Sequence, residues 1–331
     1  MRLGIVAFAI LGLGLIAYLV LHVGVDVVLS AIAGVGIGGF LLLCGYGLFM
    51  FTLLGAGWFV LDSATRLSEI GRFIWGRAVR DSAGEVLPFS QLGGFVIGAR
   101  AVSLRGVPAP VAFASTVVDV TTEMMGQIVF VLAAIAVLLY RVPAGSSQVL
   151  VRGGAIAVIF GIVGAAGFLF VQRRGFSAAE RLVARFLPAA AVHASGITHA
   201  MKSIHARPLR IVASFLLHVV GWLAAAGFGW LAVRLIGRRI DFASIIAIEG
   251  MLCAIRSAAI FVPSAYGVQE ASYAMLMPLF GLGPDVGLAV SLLRRGRDIA
   301  LGIPILLAWQ AMEGRRALAH ASPPAAPEGR A

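Results

Sequence analysis

The stretch that decides the fold reads VAFASTVVDVTTEMMGQIVFVLAAIAVLL and occupies residues 111–139. Only Asp119 and Glu123 interrupt its apolar character, and it is longer than the ~20 residues that a helix needs to cross a bilayer. It therefore predicts a membrane-spanning helix. Comparable apolar runs predict further spans at about 3–23, 36–61, 151–171, 210–233, 242–261 and 285–311. We expect an all-α, polytopic membrane helix bundle with about seven or eight spans.

The composition of the whole chain agrees with this prediction. Of the 331 residues, 60% are hydrophobic and 12% are charged, whereas about 25% are charged in an ordinary soluble domain. The net charge of +11 lies mostly in two basic stretches between apolar runs, at about 62–110 and 173–210. The second contains a predicted surface helix at 177–186. Such stretches are typical of cytoplasmic loops that meet anionic lipid, so we predict no nucleic-acid partner.

Within the first basic stretch lies an apolar, Gly-rich piece, EVLPFSQLGGFVIG, at residues 85–98. It is too short to cross the membrane and too apolar for a solvated loop. Pro88, Gly93 and Gly94 are expected to break a helix here. Because irregular backbone is tolerated at membrane depth where it lines a protein cavity, the piece predicts a re-entrant hairpin.

A second broken segment, FVPSAYGVQE, occupies residues 261–270. Aligning Pro88 with Pro263 reveals a weak internal repeat, in which both halves order their features alike: a Pro-Gly break, a short apolar piece, a turn and a charged span. Paired, interrupted segments in two halves of a chain point to a transporter's binding site. In the same alignment Gly106 coincides with Gly281, Val111 with Val286, Ala114 with Ala289, and Glu123 with Asp298.

Ionisable side chains recur inside the predicted spans, at a cost of about 2.5–3.5 kcal/mol each on insertion scales. Asp119 and Glu123 are four residues apart and share a helix face. Glu249 and Arg256 also share a face. The last span carries four charges near its middle: Arg294, Arg295, Arg297 and Asp298.

Two interpretations of these charges remain open. They form either a polar cavity in which arginines hold an anionic headgroup, or buried ion pairs that fix helix register, such as Arg294 with Asp298. Arg80, Glu85 and Arg100 lie beside the breaks, where an anchoring face is the alternative, and Tyr266 is either an interfacial residue or a ligand contact. The candidate cavity residues are Arg80, Glu85, Pro88, Gly93, Gly94, Arg100, Asp119, Glu123, Glu249, Arg256, Pro263, Tyr266, Gly267, Glu270, Arg294 and Asp298.

Catalytic and metal-binding signatures are missing from the sequence. It contains no nucleophile elbow, phosphate-binding loop or zinc-protease motif. Cys44 and Cys253 form no CxxC pair, and His193, His199 and His205 recur every six residues, which does not place them on one helix face. We therefore expect no enzyme activity, no metal and no cofactor.

The run from Arg80 to Gly94, followed by Arg100, Leu104 and Gly106, resembles the transmembrane flippase-like domain of lysylphosphatidylglycerol synthases. The second break and Arg294 look like that family's second Pro-Gly-Glu segment and its intramembrane arginine. The resemblance covers about residues 1–315, which we expect to be a single integral membrane domain, followed by a disordered tail at 316–331. The sequence between Glu85 and Arg100 is most similar to the HpnL-like branch of this family, which is associated with hopanoid biosynthesis.

This resemblance implies a lipid translocase that moves hopanoids, or another lipid such as an anionic phospholipid, between leaflets or toward the outer membrane. It also implies the bacterial inner membrane as the location. Bifunctional members carry a soluble aminoacyl-transfer domain after the membrane part, so the synthase activity is not expected here. The second motif has Ala265 and Tyr266 before Gly267 instead of a Gly-Gly pattern, which bears on substrate identity. The alternatives are a non-catalytic partner of lipid-synthesis enzymes and an enzyme that modifies a lipid headgroup.

Overall fold

A computed structural model describes residues 25–62, 65–87, 91–141, 159, 188–259 and 262–321. Within these ranges the regular structure is helical and contains no strand, which confirms the predicted all-α fold. The α-helices are α1 (Val25–Phe59), α2 (Gly71–Val86), α3 (Gln91–Leu104), α4 (Ala109–Arg141), α5 (Pro188–His205), α6 (Pro208–Leu235), α7 (Phe242–Ala258), α8 (Val268–Leu276) and α9 (Pro284–Ala321).

Three of these helices are long and apolar enough to cross a membrane: α1 from Ala33 onward, α4 and α6. They confirm that the chain is a multi-pass membrane protein. The predicted spans 3–23 and 151–171 and the surface helix 177–186 lie outside the described residues. Helix α9 continues to Ala321, so it runs into the first residues of the tail predicted at 316–331.

The first predicted break is a hairpin of two short helices. Helix α2 has 16 residues and rises about 24 Å, less than the ~30 Å thickness of the hydrocarbon core. The helix ends before Leu87, whose backbone is extended, and Pro88 itself lies outside the described residues. The expectation that Gly93 and Gly94 break the helix is wrong, because both lie inside α3.

The glycines of α3 instead allow the two arms of the hairpin to touch. A Cβ atom on Gly94 would lie 2.8 Å from the carbonyl oxygen of Arg80, and one on Gly98 would lie 2.6 Å from the Arg80 Cβ. Gly76 on α2 is equally crowded, since its Cβ would meet Val102 at 2.1 Å. Small residues spaced four apart are a common way to bring membrane helices into backbone contact.

The second predicted break is a tight turn without glycine at its strained positions. Ser264 and Ala265 both have a φ of 47°, a left-handed conformation that costs a residue with a side chain roughly 1–2 kcal/mol. They form a 3₁₀ turn, Pro263–Ala265, which leads through Gly267 into α8. The turn is tied to the first hairpin, because the Ser264 hydroxyl donates to the carbonyl of Gly84 at 3.4 Å.

The helix positions confirm the internal repeat. The alignment that pairs Pro88 with Pro263 also pairs Ala109, where α4 begins, with Pro284, where α9 begins. Each of these helices is preceded by a glycine with positive φ at matching positions, Gly106 at 98° and Gly281 at 78°. The same alignment brings the end of α1 to within one residue of the end of α6, so the repeat extends further than the sequence identities indicated.

The two repeats are interlocked. The first comprises α1 to α4 and the second α6 to α9. Helix α2 of the first packs against α9 of the second, and α7 of the second packs against α4 of the first. Helices α1 and α6 pack against each other. The largest apolar core draws on both repeats, with Leu43, Phe130, Phe228, Ile248 and Val290.

Candidate functional site

Helices α2 and α4 hold a group of buried and partly exposed charges that we name the first ion cluster: Arg77, Arg80, Asp81, Asp119 and Glu123. Arg80 donates to an Asp119 oxygen at 2.7 Å and also to Glu123. Arg77 donates to Glu123 at 2.6 Å and to Asp81 at 2.8 Å. The predicted shared face of Asp119 and Glu123 is confirmed, since both carboxylates meet the same two guanidinium groups.

A histidine on α6 completes this cluster. His218 Nε2 lies 2.9 Å from Asp119 Oδ1, and neither side chain is exposed to solvent. Beside them, the hydroxyls of Thr122 and Ser214 are hydrogen-bonded to each other at 2.9 Å. The arrangement links α6 to the α2–α4 cluster through Asp119.

The second repeat carries a simpler arrangement, which we name the Glu249 pair. Arg294 on α9 donates to both carboxylate oxygens of Glu249 on α7, each at 2.8 Å. The Tyr273 hydroxyl donates to the same carboxylate at 2.6 Å. Arg294 also lies over the ring of Phe228, 5.1 Å from its centroid, so apolar surface surrounds the pair.

This geometry corrects one sequence-based alternative. The spacing of Arg294 and Asp298 predicts an ion pair on one face of α9, but Asp298 accepts from its neighbour Arg297 at 2.5 Å. Arg294 binds Glu249 on another helix instead. Glu249 and Arg256, which share a face of α7, likewise have separate partners, because each reaches a carboxylate or guanidinium on another segment.

A third group lies where the two repeats meet, and we name it the central network: Glu85, Arg256, Gln269, Glu270, Ser291 and Arg295. Arg256 on α7 donates to Glu85 at the end of α2 at 2.6 Å and to Gln269 at 2.8 Å. Arg295 donates to Glu270 at 3.0 Å and lies 3.9 Å from the second oxygen of Glu85. Two carboxylates therefore face two guanidinium groups across the joint between the repeats.

The second break is built around this network. The backbone N–H of Gly267 donates to Glu270 at 2.8 Å, which caps the start of α8. The carbonyl of the strained residue Ala265 accepts from Arg295 at 3.2 Å, and the Arg295 guanidinium covers the Tyr266 ring at 4.6 Å. The break thus presents both a carboxylate and a carbonyl to one arginine, and this contact holds the turn in its strained form.

The central network combines partly exposed and buried side chains. The Glu85 side chain is 23% exposed and that of Arg256 is 18% exposed, whereas Glu270 is fully buried. One Glu85 oxygen has no hydrogen-bond partner among the described residues. The partly exposed side chains of Glu85 and Arg256 are the part of the network best placed to meet a ligand.

The structure separates several other predicted residues from the network. Arg100 is half exposed and pairs with Glu313 at 2.8 Å on the outside of the bundle. Gly93 and Gly94 belong to the hairpin, as described above. Pro88 lies outside the described residues, and the Pro263 side chain is likewise not described.

The residues of these groups that the sequence analysis did not single out include His218, Tyr273 and Ser291. Each lies in a stretch whose other features dominated its interpretation. His218 was the most detectable, since a lone imidazole in the predicted span 210–233 carries the same kind of polar cost as the charges that were noticed.

An open cleft lies apart from the three groups, at the bend of α1 where Gly36 has a φ of 63°. Its lining is apolar and includes Val35, Gly36, Phe40 and Leu293. Among the residues that the structure describes, no cluster of His, Cys, Asp and Glu side chains could hold a metal ion.

Comparison with known protein families gives a match over most of the chain. Residues 4–305 match the family model described as lysylphosphatidylglycerol synthase TM region. No curated protein and no solved structure matches the chain significantly.

Proposed function

This chain belongs to the lysylphosphatidylglycerol synthase TM region family, and from that premise we propose that it is a lipid translocase of the bacterial inner membrane. Its family ties it to membrane lipid biology, and its helices cross a membrane. The proposed cargo is a hopanoid or an anionic phospholipid, moved between leaflets or toward the outer membrane. The proposed activity is transport and not chemistry on the headgroup.

The observation that carries this proposal is the central network. It joins both broken segments to both repeats, and it is the site where a moving headgroup would meet two arginines at once. Arg256 and Arg295 have the fork geometry that suits phosphate and carboxylate groups. Paired breaks at the joint of two repeats are also where transporters of known architecture bind their substrates.

The charge balance of the network defines how a headgroup would bind. Both arginines already face carboxylates, so an anionic headgroup has to displace one of them. Glu85 is the better candidate for displacement, because it is partly exposed and one of its oxygens has no hydrogen-bond partner among the described residues. Glu270 is fully buried and also caps α8. A neutral hopanoid polyol would instead hydrogen-bond to the same groups without displacing Glu85.

Proteoliposomes test the proposal directly. The full chain is reconstituted with a trace of fluorescently tagged phosphatidylglycerol or a tagged hopanoid, and dithionite is added outside. Without transport, about half of the tag is bleached, because only the outer leaflet is accessible. Transport bleaches the inner-leaflet tag as well, and the lipid that moves identifies the cargo.

The matched variants are Arg256→Gln and Arg100→Gln. We expect R256Q to slow transport about tenfold, since a charge-assisted hydrogen bond contributes about 1.5–3 kcal/mol and 1.4 kcal/mol is a factor of ten. R100Q removes an exposed pair outside the network and should transport normally. Equal rates in the two variants would refute the central network as the site.

Mass spectrometry of the same vesicles separates the alternatives. A new headgroup species that forms with a donor present would identify an enzyme. No movement of either lipid and no new species would favour a non-catalytic partner of lipid-synthesis enzymes.

A further inference from the structure

Gly84 on α2 faces open space beside the first ion cluster. It lies four residues after Arg80 and seven after Arg77, so the three residues share one face of the helix. Arg77 and Arg80 are buried, but a Cβ atom on Gly84 would meet no atom of the described residues within 4 Å outside its own stretch of helix. The close packing of this helix face therefore ends at Gly84.

A ring of contacts starts and ends beside this glycine. Arg80 donates to Glu123 of α4, which lies one helical turn before Gln127. The Gln127 side-chain amide donates to the hydroxyl of Ser257 on α7 at 2.5 Å.

The ring closes on α7 and returns to α2. Arg256, the neighbour of Ser257, donates to Glu85 at 2.6 Å, and Glu85 directly follows Gly84. The ring thus joins three helices and connects the first ion cluster to the central network. We name the space in front of Gly84, bordered by this ring, the polar recess.

The side chains that border the polar recess are partly exposed although they lie deep in the protein. The Glu123 side chain is 16% exposed and that of Glu85 is 23% exposed, and the hydrogen bond between Gln127 and Ser257 is also exposed. Gly84 lies about 20 Å along α2 from its start. Carboxylates that face hydrocarbon at such a depth are costly, so the recess suits a polar occupant.

The lining of the recess favours hydroxyl groups over charged groups. The carboxylates of Glu85 and Glu123 are acceptors with spare lone pairs, and the guanidinium groups of Arg80 and Arg256 are already bound to carboxylates. A hydroxyl can donate to a carboxylate and accept from an N–H group without breaking an ion pair. A phosphate in the recess is repelled by the carboxylates, and an ammonium group by the guanidinium groups.

We propose that the polar recess binds the hydroxyl groups of a lipid headgroup, whether these belong to the glycerol of phosphatidylglycerol or to a hopanoid polyol. For its cargo this proposal rests on the translocase function proposed above. It adds a binding site next to the central network, in which Gly84 is the residue that leaves the room.

Native mass spectrometry of the purified full chain measures lipid affinity without requiring transport. The first pair of probes is phosphatidylglycerol and phosphatidylethanol, which has the same charge but no headgroup hydroxyl. The second pair is a hopanoid with and without its hydroxylated side chain. We expect the hydroxylated lipid of at least one pair to bind about tenfold more tightly, since hydrogen bonds to charged groups contribute about 1.5–3 kcal/mol.

The pair that shows the difference identifies the source of the hydroxyl groups. Equal affinities within both pairs would overturn the proposal.

Gly84→Leu fills the recess and also favours the helix, because glycine is a poor helix former. We expect G84L to lose the preference for the hydroxylated lipid. Gly45→Leu is the matched control on α1, where a Cβ atom also meets none of the described residues, and it should bind like the wild-type protein. Gln127→Leu removes an exposed amide at the border and should weaken the preference, even if G84L does not insert. A wild-type preference in both G84L and Q127L would refute the site.

The proteoliposome assay separates this proposal from the proposed function. A preference that G84L abolishes, in a wild-type protein that moves neither lipid, would support the recess and refute the translocase. Transport by the wild-type protein without any preference for hydroxylated lipid would support the translocase and refute the recess.

Discussion

The first ion cluster and the Glu249 pair occupy equivalent places in the two repeats, yet their charges are reversed. Asp119 on α4 and Arg294 on α9 coincide when the two repeats are aligned. In the first repeat the arginines lie on the short helix α2 and the acids that they contact lie on the long helix α4. In the second repeat the acid lies on the short helix α7 and the arginine on the long helix α9. The repeat therefore preserves the position of the buried charge and not its sign.

The two arrangements also differ in how the charges are shared. Two guanidinium groups and three carboxylates are connected in the first ion cluster, so most groups keep a partner when one is removed. Glu249 has a single cationic partner within ion-pair range in the described part of the chain. This difference predicts unequal sensitivity to substitution.

Arg294→Gln should have the largest effect on stability. It leaves Glu249 buried without a cation, which typically costs about 3–5 kcal/mol. The free energy of unfolding can be measured by steric trapping in bicelles. The double variant E249Q/R294Q removes both charges and should recover most of the loss, and a double variant no more stable than R294Q would contradict this account.

Arg80→Gln should cost less, about 2 kcal/mol, because Arg77 still reaches Glu123 at 2.6 Å and Asp119 at 3.7 Å and the lost hydrogen bonds are to charged groups. The same unfolding measurement compares it with R294Q. If R80Q destabilises the protein as much as R294Q, then the second guanidinium partner of each carboxylate does not reduce the cost of losing the first.

Asp241→Ala should cost about 1 kcal/mol, the usual effect of losing a helix N-cap. Asp241 caps α7, where it accepts from the Ser244 backbone at 3.1 Å and from its hydroxyl at 2.6 Å, whereas the equivalent helix α2 has no side-chain cap. The Ser244 hydrogen bonds lower the pKa of Asp241 below its ordinary value. The stabilisation is therefore present at neutral pH and is lost as the pH falls through the lowered pKa.

Thermal unfolding in detergent at neutral pH and at a pH below the lowered pKa checks this prediction. The wild-type protein and D241A should differ at neutral pH and converge in acid. A constant difference between the two proteins would mean that the carboxylate charge does not contribute to the cap.

Ala265→Gly should have the smallest effect, a gain of roughly 0.5 kcal/mol, because the relief of strain is partly offset by the added freedom of glycine in the unfolded chain. The strain that it relieves is the φ of 47° at this position. Ala254→Gly, inside helix α7 where no such strain exists, is the matched control and should lose about 1 kcal/mol. Losses in both variants, measured by the same steric trapping, would show that the turn at Ala265 is not strained.

The sequence predicted the features that depend on local signals. Pro88 predicted the position of the first break, the length of the apolar runs predicted α4 and α6, and the order of the motifs predicted the repeat. It did not predict which charges meet, because Arg294 finds Glu249 only when α7 and α9 lie side by side. The prediction that Gly94 breaks a helix failed for a similar reason, because this glycine contacts the backbone of another helix, α2, which local sequence signals do not reveal.

The interlocked repeats have a consequence for biosynthesis. Glu85 leaves the ribosome long before Arg256, the arginine that neutralises it from the other repeat. Asp119 and Glu123, in contrast, follow Arg77 and Arg80 closely in the chain, so the first repeat can neutralise itself while the second is still being translated. Glu85 therefore meets its guanidinium partners only after the second repeat has been synthesised, and the joint between the repeats can close only then.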